Sequence, residues 1–360
     1  GSGNAPTGKE WESPENLALN KEQPHAYFFP FQHLDNARKV LPENSKYWQS
    51  LDGDWKFHWA PDPDSRPKDF YQTEYDVSSW DAIPVPSSWN IYGIQKDGSQ
   101  KYGTPIYVNQ PVIFQHSVKV DDWRGGVMRT PPANWTTYKD RNEVGSFRRD
   151  FEIPQDWDGR EVFISFDGVD SFFYLWINGQ YVGFSKNSRN TANFNITPYL
   201  QKGKNTVAAE VYRSSDGSFL EAQDMFRLPG IFRTVALYSV PKVHFRDLVA
   251  TPDLDVTYTD GSLTVNAEIR NLDKKAIKDY KVYSNKLYSD ENTLVDGFLS
   301  PVIDKIAPNE TGSVQTVLKV KAPNKWSAEF PYRYTLVAEL KDKKNRTVEM
   351  VSTIVGFRKV

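Results

Sequence analysis

The sequence predicts an all-β protein made of two β-sandwiches in series. No segment shows a sustained helical period, and short β-type runs alternate with turn signals from residue 50 onward. In addition, 14% of the residues are aromatic, a class that favours strands. The 360-residue length favours two domains, and 39% hydrophobic with 25% charged residues is normal for a chain that buries a real core.

Residues 1–48 are the least regular part of the sequence. Gly1-Ser2-Gly3 resembles the remnant of a cloning site, so a natural signal peptide is compatible with the sequence, and the compartment, periplasmic or cytoplasmic, stays open. Residues 4–48 are polar and contain prolines. They are interpreted as an extended arm that lies over a folded unit.

Residues 49–241 are predicted to form the first and larger sandwich. The run "FFYLWINGQYVGF" (172–184) places Asn178-Gly179 between two apolar runs, which is the strongest short-range hairpin signal. "VFISFDGV" (162–169) alternates and ends in an Asp-Gly turn. Pro241 separates two strand-like runs and marks the predicted boundary.

Residues 242–354 are predicted to form an immunoglobulin-like sandwich. Apolar and polar residues alternate in "LTVNAEIRN" (263–271), "GSVQTVLKVKA" (312–322) and "YRYTLVAEL" (332–340), and charged turns such as 341–346 separate the strands. The simplest interpretation of these charged runs is that they are solvated turns.

Composition excludes several functional classes. The formal net charge of −2 comes without a basic stripe, which argues against nucleic-acid and anionic-membrane partners, and no apolar run is long enough to span a bilayer. The chain has no cysteine, no GxSxG elbow and no P-loop. The histidines are dispersed without metal-ligand spacing, at His25, His33, His58, His116 and His244.

Three carboxylates are concentrated in "SDGSFLEAQDMFRLPGIFR" (215–233): Asp216, Glu221 and Asp224. Glycoside hydrolysis uses a pair of carboxyl groups, and one of the two acts as an acid with a raised pKa. However, Asp216 lies in a Ser-Asp-Gly turn, and two nearby arginines are expected to lower the pKa of Asp224. The residues therefore favour a structural carboxylate–arginine network over an acid/base pair. A third possibility is that an ionised carboxylate accepts hydrogen bonds from sugar hydroxyls or ligates a hard cation.

A second candidate for binding a sugar lies in "GTPIYVNQPVIF" (103–114). Asn109 offers a donor and an acceptor together, which suits a hydroxyl group. Trp89 and Tyr92, in "VPSSWNIYG" (85–93), offer ring faces nearby in the sequence.

Several runs together resemble the amino-terminal region of a bacterial β-galactosidase of glycoside hydrolase family 2, and the resemblance spans residues 10–360. The most specific runs are "FDGVDSFFYLWINGQYVGFSKNSR" and "SDGSFLEAQDMFRLPGIFR". The others are "WESPENLALNKEQPHAYFFPF", "SLDGDWKFHWAPDP", "IPVPSSWNIYG", "YGTPIYVNQP", "GSFRRDFEIP" and "KWSAEFPYRYTLVAEL". "VGFRKV" (355–360) is taken as a connection, because it resembles the strand that leads into a catalytic barrel.

The resemblance implies a jelly-roll, galactose-binding-like domain followed by an immunoglobulin-like domain. It also implies that the (β/α)₈ barrel, with its two catalytic glutamates and its magnesium ligands, is absent from this chain. The chain is therefore expected to be inactive alone, as the non-catalytic part of a retaining enzyme that releases terminal non-reducing β-D-galactose. The parent is expected to use Mg and Na and to form a homo-oligomer that its arm supports. The alternatives are a stand-alone carbohydrate-binding protein, or the same region of a β-glucuronidase or β-mannosidase.

Two site residues are implied by the resemblance. Asp216 matches the family aspartate that contacts galactose hydroxyls and helps to bind sodium, and Asn109 matches an asparagine that contacts galactose. Glu221 and Asp224 are then interpreted as structural. Two departures from the family pattern stand out: a longer arm around residues 21–33, and the insertion-like loop 118–145, whose Trp123 and Trp135 are either stacking residues for a larger glycan or incidental.

Overall fold

The computed structural model describes residues 5–6, 18–22, 29–31, 45–93, 101–102, 123–124, 127–128, 142–188, 191–213, 229–254, 261–289, 294–295, 298–320 and 333–356. Strands dominate these residues, so the all-β prediction is confirmed. The strands are β1 (Ala18–Leu19), β2 (Phe29–Phe31), β3 (Trp48–Ser50), β4 (Gly53–Ala60), β5 (Asp81–Val85), β6 (Trp123–Arg124), β7 (Val127–Met128), β8 (Val144–Glu152), β9 (Glu161–Phe166), β10 (Val169–Ile177), β11 (Gln180–Ser188), β12 (Ala192–Asn195), β13 (Lys204–Tyr212), β14 (Gly230–Ile231), β15 (Val235–Val240), β16 (Val243–Leu254), β17 (Gly261–Asn271), β18 (Lys281–Ser289), β19 (Leu294–Val295), β20 (Phe298–Leu299), β21 (Thr311–Val320), β22 (Arg333–Lys341) and β23 (Thr347–Gly356).

The helices in the described residues are short: α1 (Trp89–Tyr92) and two 3₁₀ turns, at Gln155–Trp157 and Thr197–Tyr199. The chain divides into two compact units. The first comprises residues 1–22, 50–154 and 163–237, and the second comprises 23–49, 155–162 and 238–360. The domain boundaries at 48/49, 241/242 and 354/355 stay predictions.

The first sandwich contains a large antiparallel sheet of eight described strands, in the order β1-β11-β10-β13-β8-β4-β5, with β14 paired to β10. The predicted Asn178-Gly179 hairpin joins β10 to β11. Asn178 has φ +50° and Gly179 has φ +77°, which are the positive angles that a two-residue hairpin turn requires. The Asn178 side chain also donates to the Tyr199 carbonyl at 2.8 Å and accepts from the Thr206 N–H at 2.8 Å.

The second sheet of this sandwich has the order β12-β9-β15-β3 among the described strands. The two sheets meet through aromatic side chains. Phe173 of β10 lies 4.8 Å from the Phe166 ring of β9 and 6.0 Å from the Phe194 ring of β12. These three rings are buried, so the core lies between the sheets.

The outer face of the large sheet carries a second aromatic cluster, which includes Phe172, Tyr174, Trp176 and Tyr212. The segment 61–80 covers part of it, and Tyr71 stacks on Trp176 at 4.9 Å with an interplanar angle of 8°. Arg148 of β8 holds this segment, because its guanidinium donates to the carbonyls of Phe70, Gln72, Thr73 and Tyr75.

The immunoglobulin-like sandwich consists of two sheets in the second unit, with the orders β16-β17-β21 and β19-β18-β22-β23-β2 among the described strands, and β20 pairs with β18. The alternation predicted for β17 is confirmed, since Leu263, Val265, Ala267 and Ile269 are buried. They pack in one core with residues of β22 and β23, namely Leu336, Ala338, Leu340, Val351 and Val355.

The arm is more regular than the sequence predicts, because it adds an edge strand to each sandwich. β1 pairs with β11 in the first unit, where Asn20 donates to the Val182 carbonyl at 2.7 Å and the Glu22 N–H donates to the Asn193 carbonyl at 2.7 Å. In the second unit β2 pairs with β23, with Phe29 opposite Ser352. Two sheet edges are thereby covered.

Candidate functional site

The two predicted sugar-binding residues, Asp216 and Asn109, lie outside the described residues. So do Glu221, Asp224 and Trp135, and of Trp123 only the backbone strand is described. What the structure describes are the points at which the segments carrying these residues leave and re-enter the first sandwich.

Three neighbouring strands of the large sheet end at the same place. Ala60 of β4 is opposite Val144 of β8, and Val144 is opposite Tyr212 of β13. The ladder extends one step further, because the Arg213 N–H donates to the Glu143 carbonyl at 3.0 Å. The segment with Asn109 therefore returns to the sheet beside the point where the segment with Asp216 departs.

A buried polar cluster lies at this junction. The Arg213 guanidinium donates from Nη1 to Glu143 Oε2, and the Trp59 indole donates to Glu143 Oε1 at 2.9 Å. The Arg213 and Glu143 side chains are only 9% and 8% exposed. Both carboxylate oxygens of Glu143 are thus hydrogen-bonded, as a buried charge requires.

Sequence reasoning missed Glu143 and Arg213, and it also missed Asn142, a fully buried amide directly before Glu143. Glu143 and Arg213 are 70 residues apart, so no local pattern announces their contact. The available signal was the Arg-Ser-Ser-Asp run, which places a cation three residues before Asp216.

The end of the Asp216 segment is tied to α1. The Trp89 N–H donates to the Pro229 carbonyl at 3.2 Å, and the Ser87 N–H donates to the Ile231 carbonyl at 2.9 Å. Gly230 has φ +129°, and a Cβ there would lie 2.9 Å from the Ser87 carbonyl oxygen. Only glycine fits this close approach.

The expectation that Trp89 offers a ring face is wrong. Its side chain is fully buried, because α1 turns it into the core. The Trp89 ring stacks on Phe57 at 5.8 Å and is tilted against Phe147 at 6.5 Å. Tyr92, in contrast, is 49% exposed, and it belongs to the helix that bonds to Pro229.

The start of the Asn109 segment is anchored by Lys101 and Tyr102. The Tyr102 hydroxyl donates to the Asp81 carboxylate, and Lys101 Nζ lies 2.8 Å from the same carboxylate. These two donors, Lys101 first, lower the pKa of Asp81, whereas burial raises the pKa of Tyr102. The Lys101 N–H also donates to the Gly93 carbonyl at 2.8 Å, which links this segment to α1.

A buried carboxyl group with a raised pKa, that of Glu210, also belongs to this unit, but it is structural. Burial raises the pKa of Glu210, which forms an ion pair with Arg66 at 3.3 Å and accepts from the Tyr212 hydroxyl at 2.6 Å. Tyr212 belongs to the aromatic cluster under segment 61–80, so the carboxyl group is enclosed. A glycosidase acid must instead reach a substrate.

The described residues offer no ready-made cation site. No group of three or more His, Asp or Glu side chains among them is placed to hold a metal ion.

Two family models together match most of the chain. The model described as "Glycosyl hydrolases family 2, sugar binding domain" matches residues 48–241, which is more than half of the chain. The chain belongs to glycoside hydrolase family 2. The model described as "Glycosyl hydrolases family 2" matches residues 243–358 of this family 2 chain.

Curated relatives support the same family. A β-galactosidase from Priestia megaterium is 39% identical over 350 residues, which are 97% of this chain and 32% of the relative. A β-galactosidase from Halalkalibacterium halodurans is 35% identical over 343 residues, 95% of this chain and 31% of the relative. The chain spans about a third of the length of these curated relatives.

Solved structures share the fold of this family 2 chain. A β-glucuronidase from Bacteroides uniformis has a TM-score of 0.64 at 20% identity, over 87% of this chain and 32% of that chain. A putative β-galactosidase from Bacteroides fragilis has a TM-score of 0.61 at 19% identity, over 87% of this chain and 41% of that chain. At such identities the likeness concerns the fold alone.

None of the helices in the described part of the chain has the length and apolarity needed to cross a membrane.

Proposed function

We propose that the chain is the non-catalytic amino-terminal part of a retaining β-galactosidase and supplies substrate-binding side chains to an active site on a catalytic domain. The observation that carries this proposal is the 39% identity to a β-galactosidase over 97% of the chain. The Ser-Asp-Gly-Ser-Phe-Leu-Glu segment beginning at Ser215 favours galactosides over other family substrates.

The geometry of the first sandwich supports a binding role for one end of the molecule. The Asp216 segment departs beside the end of the Asn109 segment, at the Glu143–Arg213 pair. Its end, at Pro229, bonds to Trp89 of α1, and the start of the Asn109 segment, at Lys101, bonds to Gly93, directly after α1. The end of the large sheet and the α1 region thus hold both segments at their ends, as sites built on a scaffold require.

The proposed role of Asp216 and Asn109 is to hold the galactosyl hydroxyl groups. Such hydrogen bonds strengthen as the sugar ring distorts toward the transition state, so they lower the barrier more than they lower the ground state. Asp216, as a hard oxygen donor, is also proposed to contribute one ligand to a sodium ion.

Substitution in the full-length enzyme tests these roles. Asp216→Ala is expected to lower kcat/KM for a nitrophenyl β-galactoside by about 10²-fold or more, and Asn109→Ala by about tenfold. Each tenfold loss corresponds to about 1.4 kcal/mol of lost transition-state binding. Asp158→Ala, at an exposed carboxylate between β8 and β9, is the matched control. Wild-type kcat/KM in Asp216→Ala would show that the assignment is wrong.

The sodium ligand has a readout that does not depend on activity. Replacing choline chloride by sodium chloride is expected to raise the Tm of the full-length protein, and this rise is expected to shrink in Asp216→Ala.

The substrate class is tested by assays with nitrophenyl β-glucuronide and nitrophenyl β-mannoside. Preferential hydrolysis of either one would replace the galactoside proposal with the corresponding family 2 activity.

A further inference from the structure

The Glu143–Arg213 ion pair is buried although it lies at the end of the β8–β13 ladder. A second ion pair joins the same two strands at their other end, where Lys204 Nζ lies 3.8 Å from Asp150 Oδ2 with side chains 71% and 54% exposed. Glu143 and Arg213 are only 8% and 9% exposed. One end of the β8–β13 ladder thus carries an ordinary solvated pair and the other an enclosed one.

Stability does not explain the enclosed pair. Removing two charges from water costs several kcal/mol, and replacing a buried pair by apolar residues of similar volume is often neutral or stabilising. A buried pair whose atoms are hydrogen-bonded does, however, fix the orientation of its side chains. Both carboxylate oxygens of Glu143 are occupied, one by Arg213 Nη1 and the other by the Trp59 indole, so the carboxylate is held in one orientation and fixes the position of the Arg213 Nη1 donor.

We propose that the Trp59–Glu143–Arg213 cluster is a positioning device that sets where the Asp216 segment begins. This inference rests on the proposed function. Trp59 lies on β4, Glu143 directly precedes β8 and Arg213 directly follows β13, so the cluster ties Arg213 to the ends of three neighbouring strands of the large sheet.

The distance between anchor and sugar contact is short. Three residues of chain span at most about 11 Å, so the backbone of Asp216 lies within that distance of the Arg213 backbone. A shift or rotation at Arg213 is therefore transmitted to Asp216 with little chain to absorb it. Misplacement of a binding group by about 1 Å can cost up to 10²-fold in rate.

The main test replaces the pair by apolar residues in the full-length enzyme. Glu143→Leu combined with Arg213→Met keeps the side-chain volumes similar and leaves no unpaired charge. We expect its Tm to stay within a few degrees of the wild type, because apolar packing replaces the charge pair while the Trp59 indole loses its acceptor, whereas kcat/KM for a β-galactoside falls about 10- to 100-fold. The control, Asp150→Asn with Lys204→Gln, is expected to leave both quantities unchanged.

A cycle with Asp216 separates positioning from general structure. If the cluster acts through Asp216, the double substitution is expected to lower kcat/KM no further in an Asp216→Ala background. Trp59→Phe removes the indole donor while keeping an aromatic ring, and we expect a several-fold loss of kcat/KM that is likewise absent in Asp216→Ala. This milder variant serves as the test if the double variant does not fold.

Two results would overturn the inference: an unchanged kcat/KM in the folded cluster variants, or an equal loss with and without Asp216. The proposed function fails differently. In that case Asp216→Ala itself has no effect, or the full-length protein does not hydrolyse β-galactosides.

Discussion

The carboxyl group of Glu349 links two strands of the immunoglobulin-like sandwich. Its Oε1 accepts from the Phe245 N–H at 2.7 Å, and the side chain is buried. Burial raises its pKa to about 8, against the opposing effects of the Phe245 hydrogen bond and the Arg160 charge. Arg160 itself lies 3.7 Å from the Tyr47 ring and donates to Ser239.

His244 is a second buried ionisable group in the same unit. Arg270 Nε donates to its Nε2 at 3.1 Å, and because arginine can only donate, Nε2 must accept. The proton therefore resides on Nδ1, which contacts the Pro241 carbonyl at 2.9 Å. Burial first, and then the Arg270 charge, lower the pKa of His244 to about 3.

These two groups give stability slopes of opposite sign. Unfolded Glu349 loses its proton near 4.5 and the folded group near 8, so the free energy of unfolding falls as pH rises through that window. Unfolded His244 binds a proton near 6.5 and the folded group only near 3, so stability rises with pH between those values. Between pH 6.5 and pH 8, Glu349 is the one of these two groups whose titration still changes the free energy of unfolding.

Glu349→Gln is therefore expected to stabilise the chain most at alkaline pH. Glutamine keeps an acceptor for the Phe245 N–H without titrating, so the gain in Tm over the wild type should be larger at pH ~8.5 than at pH ~5, at about 2–4 °C for each kcal/mol. Thermal unfolding at the two pH values measures it, with exposed Glu310→Gln as the control. An equal change at both pH values would contradict the raised pKa.

At the scale of elements, the arm acts as a cover for sheet edges. β1 lies along β11 and β2 lies along β23, each at the end of its sheet order. An uncovered edge strand exposes unpaired N–H and C=O groups and invites pairing with another chain. The arm described here thus bonds to its own chain, and a homo-oligomeric parent that the arm supports stays a proposal, tested by light scattering of the full-length protein.

Deleting residues 1–31 is expected to lower the Tm of the chain by several degrees and to promote self-association. The deletion removes both edge strands together with the Asn20 and Glu22 hydrogen bonds, each worth about 1 kcal/mol net. Deleting residues 1–16 keeps both strands and serves as the control. Identical Tm and elution for the two deletions would show that the arm strands contribute nothing.

At the scale of the whole molecule, the proposed function makes this chain one part of a shared site. The 360-residue chain is expected to bind lactose with a Kd weaker than about 1 mM and to hydrolyse nitrophenyl galactoside no faster than background. The reason is that the proposed function assigns most pocket contacts to a catalytic domain. Calorimetry and a hydrolysis assay measure this, with full-length enzyme as the reference. Clear affinity without hydrolysis would favour a stand-alone carbohydrate-binding protein.

Local patterns predicted those parts of the fold that depend on nearby residues. The Asn178-Gly179 hairpin is readable because two successive positive φ angles favour these residue types, and β17 is readable because one face of a strand meets a core. The family could also be predicted, because the runs around Asn178 and Asp216 are specific. Trp89 was misjudged, since exposure depends on which way α1 turns and not on residue type.

By itself the sequence determined the all-β class, the order of the two sandwiches, the family and the candidates Asp216 and Asn109. The tertiary structure decided which distant groups meet: Glu143 with Arg213, Arg148 with the carbonyls of segment 70–75, and the arm with two sheet edges. The physical reason is that turns and alternation arise from neighbouring residues, whereas a buried charge is specified by a partner that only the folded sheet brings within hydrogen-bonding distance.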